Sequence, residues 1–308
     1  MIVVVCPGQG SQTPGFMLPW LDLPAFRSSI EGMQAASGID LIAHGTVSDA
    51  DTIRDTSVAQ PLIVSAGVAT LATLFDANGT VSSKISGVAG HSVGEITAAV
   101  ASGIVTAEQG IKFVKERGDA MALAAGLEPT SMAAILGGEQ SVVEARLAEL
   151  DLEPANYNGG GQIVAAGAAA AIGELQAEGP TGARVIPLQV AGAFHTRYMA
   201  PAVSTLAAYA AGLTVADPIT KLWTNAGGRA VDSGTQFVEL MVNQVKSPVR
   251  WDLCMAAMVE AGVTAMIEVS PAGTLVGLAK RSMPGVETLA IKSPENLDAA
   301  LALIANHA

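Results

Sequence analysis

The pentapeptide Gly90-His91-Ser92-Val93-Gly94 constrains this chain more than any other stretch. It follows an apolar run, Ile85–Ala89, and precedes Glu95–Ser102, a run of helix formers closed by Gly103. A strand, a Gly-x-Ser-x-Gly turn and a helix in that order describe a nucleophile elbow. The serine of such a turn holds a strained backbone, and glycines two residues to either side relieve crowding where strand meets helix. The following helix aims its N-terminal N–H groups at an oxyanion forming beside the serine. A plain βα turn whose serine merely caps a helix fits the same pattern, so the rest of the chain has to decide between them.

With 308 residues, half of them hydrophobic, the chain can fill about two domains, or one large α/β domain with an insertion. Its wholly apolar segments fall far short of the ~20 residues a membrane helix requires, so no membrane association is expected. The start, Met1-Ile2-Val3-Val4-Val5, has no basic segment and reads as a buried strand rather than a signal peptide. Cys6 and Cys254 lie far apart without metal-ligand spacing, which predicts a reduced, cytoplasmic protein and no metal. A net charge of −12 and only 3 Trp, 3 Tyr and 6 Phe argue against nucleic acid as a partner.

Ile2–Cys6 is a β-branched run suited to a strand buried on both faces of a parallel sheet. Pro7-Gly8-Gln9-Gly10-Ser11-Gln12 follows it directly. Without a Lys-Ser/Thr pair, and with Thr13 where a third glycine is required, it is neither a phosphate loop nor a dinucleotide fingerprint. A simple turn remains possible, as does a loop that brings backbone N–H groups close to a ligand. Helices are expected over 24–44 and 57–77, and another over Ile111–Ala125. Residues 127–189 change character: Ser131–Leu136, Pro154–Asn158, Gln162–Ala166 and Arg184–Leu188 read as strands, Glu139–Leu150 and Ala168–Glu178 as helices. That βαββαβ order is a ferredoxin-like split βαβ unit. It predicts a discontinuous core of residues 1–126 and 190–308 with an inserted subdomain at 127–189. Beyond it, helices are expected over 198–212, Thr235–Gln244, Arg250–Ala261 and Thr274–Lys280, and strands over Leu222–Asn225 and Ala265–Val269.

On the 111–125 helix, Val114, Gly118, Met121 and Ala125 form an apolar stripe, and Arg117 falls inside it. Either the arginine snorkels from the edge of that face, or its guanidinium is buried to meet a carboxylate.

A serine needs a base to act as a nucleophile near neutral pH. Of the four histidines, His307 falls at a C-terminus expected to fray and His44 at the end of an early helix. His91 adjoins Ser92, and neighbouring side chains on a sharp turn point apart. His195, in a Gly192-Ala193-Phe194-His195 loop, is left as the candidate. Asp119 and Asp151 lie between serine and histidine but on unsuitable elements, so a Ser–His dyad without a carboxylate is expected.

Taken together, Pro7–Gln12, Gly90–Gly94, Arg117-Gly118, Gly192–His195 and Gln244 before Ser247-Pro248-Val249-Arg250-Trp251 closely resemble the malonyl-CoA:acyl carrier protein transacylases of fatty-acid synthesis, from Pro7 to about Arg281. The resemblance implies an α/β-hydrolase-like core carrying a parallel sheet, with a ferredoxin-like insertion. It makes Ser92 the nucleophile and His195 its base, and the backbone N–H groups of Gln9 and Val93 the oxyanion hole. Arg117 would hold the malonyl carboxylate, with Gln9, His91, Phe194 and Asn158 also lining the substrate site. The Gln244 backbone carbonyl would orient His195. Malonyl-CoA and acyl carrier protein are the implied partners of a monomer without a cofactor, coenzyme A being part of a substrate. Three departures stand out: Gly160 for the proline after Asn156-Tyr157-Asn158, Ser270-Pro271-Ala272 for Gly-Pro-Gly, and Thr196-Arg197-Tyr198 for Ser-Pro-Leu. A serine thioesterase would use the same dyad, but has no use for a cation in its acyl pocket. A methylmalonyl transferase would need room that the Phe194 ring takes from a branched α-carbon.

Overall fold

The computed structural model describes residues 1–75 and 77–307. One five-stranded sheet is parallel throughout, in the order β10-β9-β1-β2-β7. These strands are β1 (Ile2–Cys6), β2 (Gly87–Gly90), β7 (Lys221–Trp223), β9 (Ala265–Glu268) and β10 (Glu287–Ala290). Every residue of β1 is buried, because successive side chains enter different cores. Ile2, Val4 and Cys6 pack with helices α1 (Pro24–Ser37), α3 (Thr56–Leu74), α4 (Gly94–Ala101) and α5 (Ala107–Ala125). Val3 and Val5 face α10 (Trp251–Glu260) and α11 (Thr274–Ser282). Burial of each such valine stabilises the fold by about 1.5–3 kcal/mol.

The second sheet, β6-β3-β5-β4-β8, joins β3 (Thr130–Gly137), β4 (Glu153–Gly159), β5 (Gln162–Ala168) and β6 (Ala183–Leu188) with helices α6 (Gln140–Glu149) and α7 (Ala169–Ala177). The order of its first four strands is that of a ferredoxin-like unit, as the βαββαβ pattern predicts. One strand of this sheet is not visible in the sequence. β8 (Val249–Arg250) adds in parallel to β4, and the Arg250 guanidinium lies 4.5 Å over the Tyr157 ring. The two sheets are thereby tied together beside the loop that precedes α10.

Several expected boundaries move. The helix expected over 24–44 is two helices, α1 and α2 (Leu41–Thr46), because Gly38 ends the first in a left-handed conformation. α5 starts at Ala107 rather than Ile111, because Thr106 and Gln109 form a reciprocal capping box. The segment from 198 begins with a 3-10 turn and continues as α8 (Ala200–Ala210), with α9 (Gly234–Gln244) following β7. β10 and the last helix, α12 (Leu297–His307), were not expected. His307 is correspondingly not frayed, since its ring bonds Thr264 and Glu287. By length and mean hydropathy α3 is apolar enough to cross a bilayer, although polar residues interrupt every wholly apolar run in it. Here it is the central core helix, buried continuously from Ala59 to Ala72. The glycine that replaces proline at 160 has a φ of +56°, which a pyrrolidine ring forbids.

Candidate active site

The carboxyl ends of β1, β2 and β7 converge on one cleft, where an open parallel sheet leaves its loops free to bind. β2 runs into the elbow. Ser92 has a φ of +52°, and the glycines on either side leave no room for a side chain. A Cβ on Gly94 would stand 2.2 Å from the Cys6 carbonyl oxygen, and one on Gly90 would stand 2.0 Å from the Gly94 carbonyl carbon. Close contact of β1, β2 and α4 therefore sets the position of Ser92.

The Ser92 Oγ lies 2.7 Å from Nε2 of His195. The other ring nitrogen, Nδ1, is 2.9 Å from the backbone carbonyl of Gln244 and must donate to it, which leaves Nε2 as the acceptor. His195 also has a positive φ, 63°, held by a hydrogen bond from its N–H to the Val245 carbonyl. Burial, reinforced by the charge of Arg117, pushes the imidazole down to about 3, so the ring is neutral at physiological pH. Among the described residues, no carboxylate orients it: Asp119 bonds Lys115, and Asp151 bonds Arg197.

Arg117 is 1% exposed, which overturns the snorkelling reading. Its Nη1 donates to Gln60 Oε1 at 2.6 Å, and its Nη2 to Gln244 Oε1 at 2.9 Å and Ser92 Oγ at 3.4 Å. Among the described residues, no carboxylate pairs with it directly. Burial lowers its pKa to about 10, partly offset by the charge of Glu95, and it remains a cation at neutral pH.

The Pro7–Gln12 loop is tied down by its side chains: Gln9 and Gln12 donate to the carbonyls of Arg54 and Ile53, and Ser11 to that of Gly8. Gly8 passes so close to His91 that a Cβ would meet the His91 carbonyl oxygen at 2.8 Å. Among the described residues, the backbone N–H groups of Gln9 and Val93 have no protein acceptor. His91 turns away from Ser92 and bonds Asn158 through Nε2 at 2.9 Å. Gln9, His91, Asn158 and Phe194 line the same cavity of about 290 Å³ as Ser92 and His195, with Leu275 and Leu278 of α11 on one wall.

Three polar residues at this site escaped the sequence reading. Gln60, on α3, holds Arg117. Asn225, beyond β7, accepts the Ser92 N–H at 2.8 Å and donates to the Gly90 carbonyl, clamping both ends of the elbow. Glu95, in the first turn of α4, is 1% exposed and accepts from the Thr224 hydroxyl, the Asn225 N–H and the Gln244 amide. A single acidic residue among Ile96, Thr97 and three buried alanines was the available signal.

Residues 3–293 match the acyl transferase domain family. The chain is 46% identical over 298 residues to the malonyl CoA-acyl carrier protein transacylase of Mycobacterium tuberculosis, covering 97% of this chain and 98% of that one. The crystal structure of MCAT from the same organism superposes with a TM-score of 0.92, over 97% of this chain and 99% of that one, at 46% identity. A malonyl-transacylase solved in complex with its type II PKS acyl-carrier protein superposes with a TM-score of 0.90 at 28% identity, over 98% of this chain and 99% of that one.

Proposed function

The chain belongs to the acyl transferase domain family, among its malonyl CoA-acyl carrier protein transacylases, and we propose that it carries malonyl from coenzyme A to the phosphopantetheine thiol of acyl carrier protein through an ester on Ser92. His195 Nε2 takes the Ser92 hydroxyl proton as Oγ attacks the thioester carbonyl. The Gln9 and Val93 N–H groups hold the oxyanion. The C–S bond then breaks, and the departing sulfur takes the proton from His195. After coenzyme A has left, the carrier thiol gives its proton to His195 and attacks the ester. Ser92 regains the proton as its Oγ is released. No cofactor enters any step, and the reaction belongs to cytoplasmic fatty-acid synthesis.

The observation that carries this reading is Arg117. A buried guanidinium beside the nucleophile, with only neutral oxygens as direct partners, calls for an anionic acyl group. A thioesterase releasing plain fatty acids gains nothing from it. The Phe194 ring lines the cavity that holds Ser92 and His195, where it crowds a branched α-carbon and favours malonyl over methylmalonyl.

Steady-state kinetics test the sequence of steps. Because coenzyme A must leave before the carrier enters, double-reciprocal plots at several carrier concentrations should be parallel. Lines that intersect would require a ternary complex and rule out the Ser92 ester as an obligatory intermediate.

A further inference from the structure

Glu95 takes no part in the steps above, yet it is a buried carboxylate beneath the site. Its Oε1 accepts from the Thr224 hydroxyl at 2.9 Å and the Asn225 N–H at 2.6 Å, and its Oε2 accepts from Gln244 Nε2. Gln244 Nε2 spends its second hydrogen on Asn225 Oδ1 at 3.1 Å. The Asn225 amide cannot turn, because its Nδ2 is held by the Gly90 carbonyl and its Oδ1 by the Ser92 N–H. Gln244 is therefore left with one orientation, its Oε1 toward Arg117 Nη2.

We propose that Glu95 is a positioning residue for acyl selectivity: its carboxylate sets the Gln244 side-chain amide, and that amide aims the Arg117 guanidinium at the acyl carboxylate. This rests on the reading of Arg117 given above. Only a carboxylate can accept on both oxygens here. A glutamine at 95 must set its NH₂ against either Gln244 Nε2 or the Asn225 N–H, both of which are donors.

A second observation concerns access. Glu95 lines a separate cavity of about 70 Å³ with Thr224, Leu240, Asn243, Gln244, Ser247 and Pro248. That volume is enough for water, and it lies outside the acyl cavity, so the carboxylate can exchange protons without passing through the substrate site. The charged or titratable groups facing Glu95 are Arg117 from α5 and the Cys254 thiol from α10, with His195 beyond Gln244. Burial raises the carboxyl to about 7 against the pull of its donors and of Arg117. Above that pH Glu95 accepts on both oxygens. Below it, one oxygen carries a proton and the hold on Gln244 loosens.

The test is the ratio of kcat/KM for malonyl-CoA to that for acetyl-CoA, in which chemistry common to both cancels. In the wild type the ratio should fall as pH drops through about 7. Glu95→Gln should lower the ratio about tenfold, the scale of one lost hydrogen bond in a charged network, and should abolish its pH dependence. Thr224→Val removes one donor to the carboxylate and should move the midpoint to higher pH, which keeps the idea open to refutation if Glu95→Gln fails to fold. A flat wild-type ratio, a proportional loss of both substrates in folded Glu95→Gln, or an unmoved midpoint in Thr224→Val would overturn the proposal. Arg117→Ala, measured alongside, separates the two readings. If it removes the selectivity and Glu95→Gln does not, only the role of Glu95 fails. If it too leaves the ratio unchanged, the acyl-pocket reading fails.

Discussion

Arg117 Nη2 lies 3.4 Å from Ser92 Oγ, so the cation that would read the substrate and the oxygen that would attack it are neighbours. That proximity suits an acyl group whose carboxylate is one methylene from the reacting carbon. It also holds the charge in a site where burial strips away water, so a carboxylate there gains far more than it would at the surface.

Arg117→Ala should therefore lower kcat/KM for malonyl-CoA by roughly 2–5 kcal/mol in transition-state stabilisation, the cost of breaking a buried ion pair. Acetyl-CoA has no carboxylate to leave unpaired and should lose little. Arg117→Lys should recover only part of the malonyl activity, since an ammonium cannot reproduce the two-pronged contact. Acylation rates with both thioesters check this, and an equal loss for both would make Arg117 structural.

The pH dependence with acetyl-CoA reports on His195 without the acyl carboxylate. Burial depresses the ring to about 3, so it stays an unprotonated acceptor far below the ordinary histidine value of 6.5. The kcat/KM for acetyl-CoA should stay level as the pH falls from about 7 to about 5. An inflection near 6.5 would show the base to be a histidine exposed to water.

Carrier docking divides the surface cations. Arg197, Lys246, Lys280 and Arg281 lie near the motif loops and would suit an acidic carrier, but Arg197 is occupied by Asp151 at 2.5 Å and Glu153 at 2.8 Å. Lys246, Lys280 and Arg281 are exposed, and the last two close α11, whose Leu275 and Leu278 line the acyl cavity. Lys280→Glu with Arg281→Glu should slow transfer to a carrier docked there through its acidic groups and make it less sensitive to salt, while Arg197→Glu should have little effect on it. Comparing the carrier half-reaction at several ionic strengths decides between these outcomes.

Gly94→Ala should destabilise the protein by at least the 1–3 kcal/mol typical of overpacking, because its methyl group would overlap the Cys6 carbonyl oxygen. Thermal unfolding measures this directly. A wild-type melting temperature would mean that the elbow is looser than its geometry indicates.

What the sequence disclosed is what local patterns encode. The elbow announces itself through two glycines that a strand–helix junction requires, and the ferredoxin-like unit through alternating strand and helix periods within 60 or so residues. Arg117 was legible as an anomaly on an apolar stripe, but its burial depends on α3 supplying Gln60 from far away in sequence. Glu95 and Asn225 were overlooked because neither belongs to a local pattern, and only tertiary contact brings them together at 2.6 Å. β8 has only two residues and β10 lies at a sheet edge, too short or too exposed to leave a period. Gly38 was within reach, since a glycine after an amphipathic run is a common helix end.

The central claim is that Ser92 carries the acyl group. Intact-protein mass after brief exposure to malonyl-CoA, followed by peptide mapping, measures it most directly. The wild type should gain one malonyl group on the peptide containing Ser92, far faster than it gains acetyl from acetyl-CoA, and Ser92→Ala should gain none. A malonyl adduct that persists in Ser92→Ala would contradict the account.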